Sequence, residues 1–370
     1  MKGLIEFLRY VVGILFIFSG LVKANDPMGL AYKMEEFFEL WKWFWFIPYA
    51  KVFAVSMNAL EIVSGFALCI GWKTKWNLRL LLSLIVFFTG LTGYTYFTGY
   101  PKTCGCFGDC LPIRAATSFY KDIFLLITIV FLVIYQNKLS ALKKGLSNFL
   151  VLVVFLMAVG LEYYVLHHLP IIDCLPYQAG INIPEARKQP PRPPGSITMF
   201  VYQKAGVEIE FPADQFPADF SAENYQFVRR YDTGTIPEPK IQGFALTTPS
   251  GKDSTDAVLE MEQVYLLVSE EIGAGPDKWG AGWKNLTEAS SQKRIPIYFI
   301  TNQIMGWKQI WSVNYPMVSL LSSDRTPIRT MARVDPTVYA LKKGTIINKW
   351  ALIDFPRRGD GLVKQIPATN

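Results

Sequence analysis

The sequence has 370 residues, of which 51% are hydrophobic and 18% are charged, and its formal net charge is +7. This length exceeds one compact unit and fits two domains. The hydrophobic excess over an average soluble protein lies almost entirely before residue 170, so we predict that the first half lies in a membrane. Many basic residues stand in short loops beside the apolar stretches, where they orient helices. We therefore expect membrane lipid, and no nucleic acid, among the partners.

Five apolar stretches each come close to the ~20 residues that a helix needs to cross the hydrocarbon core. They cover 4–22, 49–70, 78–98, 119–136 and 148–167. No small-residue cleavage site follows the first stretch, which predicts a retained signal anchor. The basic residues that mark one side of this series are Lys2, Arg9, Lys73, Lys75, Arg79, Lys138, Lys143 and Lys144. The positive-inside rule then predicts a multi-pass protein of the inner (cytoplasmic) membrane, with its C-terminal half extracytoplasmic, or periplasmic.

Three of the five cysteines stand in the short segment 103–111, TCGCFGDCL, between the third and fourth predicted spans. Together with Cys174 they are expected on the outer, oxidising side, which favours disulfides over a cytosolic metal site. Four cysteines allow three pairings, and the sequence does not choose among them. A Cys-x-Cys disulfide closes a small strained ring that exchanges readily. Cys104 and Cys106 are therefore the better exchange pair, and Cys110 with Cys174 is a candidate second pair or clamp.

Two other roles for these cysteines stay open. They could form two inert disulfides that fix the outer loop to the last span. Three cysteines with His167 and His168 could instead hold zinc, although a Cys-x-Cys spacing is less usual for zinc than two intervening residues. We predict no metal site.

One acidic residue falls near the middle of the second predicted span. Glu61 lies there, with Asn58 one turn earlier. A carboxylate in hydrocarbon is costly unless it faces a partner or a cavity, so Glu61 is a candidate cofactor-binding residue. The alternative is a protonated side chain that is hydrogen-bonded within the bundle.

An aromatic segment, EEFFELWKWFWFIPYA, separates the first two spans. Tryptophan is favoured at the level of the lipid headgroups. The segment predicts an interfacial helix that forms a rim beside the cysteine segment, or an aromatic belt alone.

The composition changes after the fifth span. The stretch EARKQPPRPPG predicts an extended spacer, and we place a Pro-rich linker at 173–195, between a membrane domain at 1–172 and a soluble domain at 196–370. Short alternating runs predict a small sheet, and the mixed order of strands and helices that follows is typical of an α/β domain. The predicted strands are 197–202, 207–211, 224–231, 264–269 and 295–300, the predicted helices are 278–291 and 305–313, and a final hairpin turns around Lys342, Lys343 and Gly344.

Three features of the membrane half stand out: FSGLVKANDP at the end of the first helix, CGCFG at 104–108, and Glu61 ahead of Gly65 and Gly71. They resemble the DoxX/MauE family of small helical membrane proteins, over about residues 1–168. That family usually has four helices, so the fifth span is a departure. Members of the MauE branch are linked to maturation of disulfide-containing periplasmic enzymes, and the bundle is similar to those of membrane disulfide-forming proteins that pass electrons to quinone. The resemblance implies a redox role for Cys104 and Cys106 and quinone as a cofactor.

VYLLVSEE, IPIYFITN, and Asp335 and Pro336 ahead of TVYALKKGTIINKW form a second pattern. The segment 242–355 that holds them resembles the thioredoxin-like fold, in which a cis-proline precedes the terminal hairpin. We expect a cis bond before Pro336, packed near Glu270 to Trp279, and a groove there that binds a client peptide or the chain's own cysteine loop. Because IGAGPDKWGAGW stands where the family carries its Cys-x-x-Cys motif, this domain is expected to dock clients without thiol chemistry.

Three hypotheses follow for the function. The first is a membrane thiol–disulfide redox protein that assists disulfide formation or maturation of exported client proteins, linked to quinone or to a redox partner. The second is a non-enzymatic membrane anchor or assembly factor with structural disulfides. The third is a DoxX-type membrane subunit of a thiosulfate:quinone oxidoreductase. Trapped mixed disulfides would separate the first from the others, and a quinone-reduction assay with thiosulfate would separate the third.

Overall fold

The computed structural model describes the membrane half and the soluble half of the chain together. The described residues are 1–101, 105, 108, 110–111, 113–140, 143–191, 193–221, 223–234, 237–270, 275–304, 315 and 317–357. Their helices are α1 (Lys2–Asn25), α2 (Pro27–Leu40), α3 (Ala50–Ile70), α4 (Thr74–Thr98), α5 (Ala115–Ile134), α6 (Lys144–His167), α7 (Ile183–Ala186), α8 (Thr255–Leu259), α9 (Gly280–Lys293) and α10 (Arg325–Met331). Their strands are β1 (Thr198–Lys204), β2 (Val207–Pro212), β3 (Gln226–Asp232), β4 (Val264–Val268), β5 (Ile297–Thr301), β6 (Val318–Ser322), β7 (Thr337–Lys342) and β8 (Thr345–Ala351).

The membrane half is a helical bundle. Within the described residues, five helices are long and apolar enough to cross a membrane: α1, α3 with the preceding 3-10 turn Phe44–Tyr49, α4, α5 and α6. The five predicted spans are thereby confirmed, and the protein is a multi-pass membrane protein. Apolar side chains of α1 to α5 share one core cluster, and α6 packs against α1 and α3 through a smaller cluster around Ala158.

Two glycines bring α1 and α3 into backbone contact. A Cβ at Gly65 would lie 2.6 Å from the carbonyl oxygen of Gly13, closer than any side chain tolerates. Small residues of this kind let helices pack closely where lipid supplies no hydrophobic driving force. The approach fixes α3, and with it Glu61, against α1.

The predicted interfacial helix at 35–50 is confirmed only over its first six residues, because α2 covers Pro27–Leu40 and Phe44–Tyr49 form a 3-10 turn. Asp26 caps the N-terminus of α2: its carboxylate accepts a hydrogen bond from the backbone N–H of Gly29 at 3.2 Å, and Pro27 occupies the first turn. One face of α2 is apolar and packs on the bundle. The opposite face is polar and carries Tyr32, Glu35 and Glu39.

The soluble half contains a five-stranded sheet in the order β6-β5-β4-β7-β8. β4, β5 and β6 run parallel, and β7 and β8 run antiparallel to them and to each other. Every residue of β4 is buried, because α9 covers one face of the sheet and α8 and α10 cover the other. The predicted strands, the helix at 278–291 and the final hairpin are confirmed. β6 and α10 were not predicted, and the predicted helix at 305–313 lies outside the described residues.

The predicted linker differs from the structure over its first part. Tyr177 and Ile183 are buried in the core beneath the five-stranded sheet, and the backbone N–H of Ile183 donates to the carbonyl of Gly344 at 2.9 Å. Local composition hid this role, since the burial comes from contacts with residues far along the chain. The expected three-stranded sheet, in the order β2-β1-β3, follows. The chain then returns beside its point of departure, where the N–H of Ile241 donates to the carbonyl of Ala186 at 3.0 Å.

Candidate functional site

The cysteine face is the end of the bundle where α1 and α4 end, α5 begins, and Gly105, Gly108 and Cys110 lie. Cys110 and Cys174 form a disulfide there, with their Cα atoms 4.8 Å apart. This confirms the predicted second pair and fastens the loop before α5 to the segment after α6. Cys104 and Cys106, the predicted exchange pair, lie outside the described residues.

Asn25 holds the disulfide in place from the end of α1. Its side-chain amide donates to the carbonyl oxygen of Ile172 at 2.8 Å and accepts from the N–H of Ile172 at 2.9 Å. The same Nδ2 lies 3.9 Å from the sulfur of Cys110. The last turn of α1 therefore positions both sides of the disulfide.

Glu61 is buried inside the bundle and has a cationic partner. Its carboxylate pairs with the ammonium of Lys23, and each side chain is only 1% exposed. Lys23 Nζ also lies 4.5 Å from the centroid of the Phe88 ring. The predicted burial of Glu61 is confirmed, and the ion pair offsets the cost of placing a carboxylate in the membrane.

A small cavity with a mainly apolar lining adjoins the Lys23–Glu61 pair. It measures about 30 Å³ and is lined also by Lys121 and Asp122 of α5. Asp122 accepts a hydrogen bond from the hydroxyl of Thr92 at 3.0 Å and pairs with Lys121 at 2.8 Å. The cavity brings the charged groups of Lys23, Glu61, Lys121 and Asp122 to one small space among apolar side chains. α1, α3, α4 and α5 thus meet at a charged centre.

A second buried polar pair joins α3 to α6. The side-chain amide of Asn58 donates to Glu162 at 3.0 Å, and both residues are fully buried. Lys23, Asp122 and Glu162 were not among the predicted site residues. Each is a charged residue within an apolar stretch or at its end, the same signal that singled out Glu61, but only Glu61 stands near the middle of its span.

The histidines of the zinc alternative have other partners. Nδ1 of His168 lies 2.8 Å from the Asp354 carboxylate, and Nδ1 of His167 lies 2.8 Å from the carbonyl oxygen of Tyr163. The described part of the chain contains no cluster of three or more His, Cys, Asp or Glu residues that could hold a metal ion.

The predicted client-binding residues lie at the end of the five-stranded sheet where β4 ends and the neighbouring strand β7 begins. The Asp335–Pro336 bond is cis, as predicted. The carboxylate of Asp335 accepts a hydrogen bond from the backbone N–H of Glu270 at 3.1 Å, so the predicted neighbourhood of this bond is confirmed at Glu270. Residues 271–274, which continue the neighbouring loop, lie outside the described residues.

This end of the sheet contacts α2 and its N-cap in the membrane half through ion pairs of arginines on and after α10. Arg329 lies 2.6 Å from the Glu35 carboxylate and 2.8 Å from that of Glu270. Its guanidinium also lies 4.3 Å from the centroid of the Tyr32 ring. Arg333 pairs with Asp26 at 3.0 Å. The soluble domain is therefore docked on the polar face of α2.

Tyr32 of α2 lies at this contact, next to Arg329 and Arg333. Burial raises the pKa of its hydroxyl above the usual range, and the negative charges of Glu270 and Asp335 raise it further, while Arg333 and Arg329 lower it. These are the charges that surround the predicted groove. Tyr32 of α2 therefore lies among the charged residues that were predicted to border a client groove.

Gly105, one of the described residues of 103–111, touches α2 at Lys33. Gly105 has a φ of +67°, and a Cβ on it would lie 3.0 Å from Cγ of Lys33, next to Tyr32 in sequence. A glycine meets both demands, because it accepts a positive φ and leaves room for the lysine stem. α2 thus stands between the soluble domain and the cysteine segment.

Contacts after α6 fasten the domain at a second place. Lys349 of β8 pairs with Asp173 at 2.6 Å, and burial lowers the pKa of this lysine. Asp173 precedes the disulfide residue Cys174, so the ion pair and the disulfide fix neighbouring points of the chain.

The fold and these contacts define a multi-pass helical membrane protein that carries a docked α/β domain on its cysteine face. Residues 1–135 match the family described as methylamine utilisation protein MauE, which supports the MauE part of the predicted resemblance over α1 to α5. Residues 197–234, which hold the three-stranded sheet, match a domain of unknown function, DUF8463. No curated protein and no solved structure matches the chain.

Proposed function

We propose that the protein is a membrane thiol–disulfide redox protein that assists disulfide formation or maturation of exported proteins. Cys104 and Cys106 are its exchange pair, and the C-terminal domain, thioredoxin-like and extracytoplasmic, is its docking module. The observation that carries the proposal is the Cys110–Cys174 disulfide. It anchors the cysteine segment at the face on which the domain is docked, and disulfides persist in oxidising compartments.

The exchange chemistry balances with a client dithiol and a quinone. A client thiolate attacks one sulfur of the Cys104–Cys106 disulfide, forms a mixed disulfide and releases the other cysteine as a thiolate. The second client thiol then displaces the first cysteine, so the client leaves oxidised and the pair is left reduced. Restoring the disulfide removes two electrons and two protons from the pair, and a quinone would supply the oxidant for this step. The chain's described residues contribute position to this cycle, through Asn25 and the Cys110–Cys174 bond.

Trapping of mixed disulfides in the full-length membrane protein tests this proposal. With Cys106→Ser, the Cys104 thiolate can run the exchange only in reverse, by attacking the disulfide of an oxidised client and releasing one client thiolate. Without Cys106 this mixed disulfide is not carried on to release of the client, so an adduct that reductant cleaves should accumulate, and Cys104→Ser tests the converse. Cys69, the free cysteine outside the cysteine face, provides the control, because Cys69→Ser should trap nothing. The absence of a reducible adduct with either variant, in the cell that makes the protein, would rule out an exchange role for this pair.

One observation favours a second candidate, a membrane assembly factor without thiol exchange. The ring of Tyr32 of α2 lies 4.3 Å from the guanidinium of Arg329 and 5.3 Å from that of Arg333, beside the region of Asp335 where a client would be expected to dock. A groove that is permanently covered would make the domain a structural part of the assembly. Mass-spectrometric thiol mapping separates the two candidates, since a redox protein should present a pair that a mild reductant opens ahead of Cys110–Cys174, and an assembly factor should not.

A further inference from the structure

The segment 168–174 connects α6 to the soluble domain, and we call it the connector. The Cys110–Cys174 disulfide fixes its last residue to the membrane half. Leu175 and Tyr177, which follow at once, are buried, and Tyr177 belongs to the core of the five-stranded sheet. The chain therefore enters the soluble domain directly beyond the point at which the disulfide holds it.

Two ion pairs of the soluble domain lie beside this disulfide. Asp173, which precedes Cys174, pairs with Lys349 of β8 at 2.6 Å, and the lysine side chain is 8% exposed. Asp26 pairs with Arg333 at 3.0 Å, and these side chains are 7% and 5% exposed. The charges of Asp173, Arg333 and Asp26 all act on Lys349, so the two pairs lie together. The domain is thus held where the disulfide holds the connector.

Reduction of the disulfide would lengthen the covalent tether of the domain. With the bond formed, a domain that leaves α2 stays attached at Cys174, about two residues before the buried Tyr177. With the bond broken, the attachment is the end of α6 at His167, so about seven more residues, 168–174, become tether. The two hydrogen bonds between Asn25 and Ile172 are still available, but hydrogen bonds open and close reversibly.

The length of this tether affects how often the domain docks. The effective concentration of a tethered partner falls roughly as the −3/2 power of the tether length. A tether that grows from about two residues to about nine therefore lowers the effective concentration of the domain at α2 roughly tenfold. The domain should separate from α2 more often by the same factor.

We propose that the Cys110–Cys174 disulfide is a redox-sensitive switch for docking: the domain stays on α2 while the disulfide is formed, and separates more readily once a dithiol has reduced it. A thiolate of the dithiol attacks one sulfur, the S–S bond breaks, and the other cysteine leaves as a thiolate. The second thiol of the reductant then displaces the first cysteine. The dithiol becomes a disulfide, and its two electrons and two protons end on Cys110 and Cys174. Both cysteines are partly exposed, so a dithiol can reach them.

Amide hydrogen exchange in the full-length protein tests the switch along α2 and α10, which carry ion pairs between the two halves. Exchange through domain opening should be roughly tenfold faster in the double variant Cys110→Ser with Cys174→Ser than in the unaltered, oxidised protein. Amides of α4 should exchange equally in both, which separates opening of the domain from general unfolding. Cys69→Ser, at the free cysteine of α3, should change nothing. A difference of less than about twofold along α2 and α10 would overturn the proposal.

A second measurement uses the reciprocity of coupled equilibria. If reduction favours opening, opening must favour reduction by the same factor. The open state is populated by replacing with methionine the three arginines that pair with α2 and its N-cap, namely Arg325, Arg329 and Arg333. In a dithiothreitol redox buffer, Cys110–Cys174 of this triple variant should be reduced at a roughly tenfold lower ratio of dithiol to disulfide, a potential about 30 mV higher.

Thiol alkylation and mass spectrometry report the redox state of this disulfide separately from that of Cys104 and Cys106. The switch can therefore fail while the exchange proposed above stands, and the reverse. Arg187→Met, which removes an ion pair with Asp256 inside the soluble domain, is the control and should leave the potential unchanged. An unaltered potential in a triple variant whose exchange shows an open domain would overturn the proposal, and this measurement decides the matter if the cysteine variants fail to fold.

Discussion

Replacement of Arg329 by methionine should loosen the soluble domain from α2. Methionine keeps much of the apolar stem and removes the guanidinium. It leaves the carboxylates of Glu35 and Glu270 facing each other without the cation that joins them. We therefore expect the domain to separate from the membrane half more often while each half stays folded.

The magnitude follows from burial. The side chains of Arg329, Glu35 and Glu270 are 15%, 15% and 13% exposed. Removing one partner of a buried ion pair costs about 3 to 5 kcal/mol. Arg325 still reaches Glu270 at 2.8 Å, so we take the low end, about 3 kcal/mol, which is roughly a 150-fold change in the opening equilibrium.

Amide hydrogen exchange along α2 and α10, the two helices that meet at the docked surface, measures this opening in the full-length protein. The matched control is Arg325→Met, in the same network but with a side chain that is 49% exposed. An exposed pair contributes about 0 to 1 kcal/mol, so this variant should change exchange by less than about fivefold. If Arg329→Met accelerates exchange no more than Arg325→Met does, the ion pairs do not hold the domain on α2 and the reasoning fails.

Three further outcomes are expected. Lys23→Met leaves Glu61 buried without a cation and should lower the free energy of unfolding of the detergent-solubilised protein by about 3 kcal/mol, as measured by thermal unfolding. The double variant Lys23→Met with Glu61→Gln should recover most of this loss, and a double variant as unstable as the single one would contradict the ion pair. Cys110→Ser, Cys174→Ser and the double variant should be destabilised equally, by at most about 4 kcal/mol for a loop of 64 residues, and a larger loss in the double variant would show that the cysteines act separately. Tyr32→Ala should increase the yield of trapped client if the groove docks clients, and an unchanged yield would favour a structural domain.

The membrane half was largely predictable because its signals are local. A continuous apolar stretch of spanning length has few alternatives to a transmembrane helix, so all five spans were found. The pairing of Cys110 with Cys174 could be proposed as one option for a related reason, since the positive-inside rule places both cysteines on one side. The partner of Glu61 was not found, because Lys23 stands at the end of α1 and a lysine at that position usually extends toward the headgroups.

The contacts between the two halves lay beyond sequence reasoning. Arg329 and Arg333 belong to a segment with no periodic signal, and their partners Glu35 and Asp26 lie about three hundred residues earlier. Nothing local distinguishes such arginines from a solvated face. Tyr177 and Ile183 were assigned to a spacer for the same reason, since their burial depends on strands that come much later.

Asp26 is a position at which few substitutions would preserve the structure. Its carboxylate both starts α2, by accepting the hydrogen bond from Gly29, and pairs with Arg333. Asparagine starts helices about as well as aspartate but brings no charge, whereas glutamate keeps the charge on a longer side chain that caps poorly. Aspartate at position 26 therefore combines a helix cap with a negative charge, which neither asparagine nor glutamate does. The preceding residue, Asn25, positions the disulfide, so two successive side chains connect the bundle to the rest of the protein.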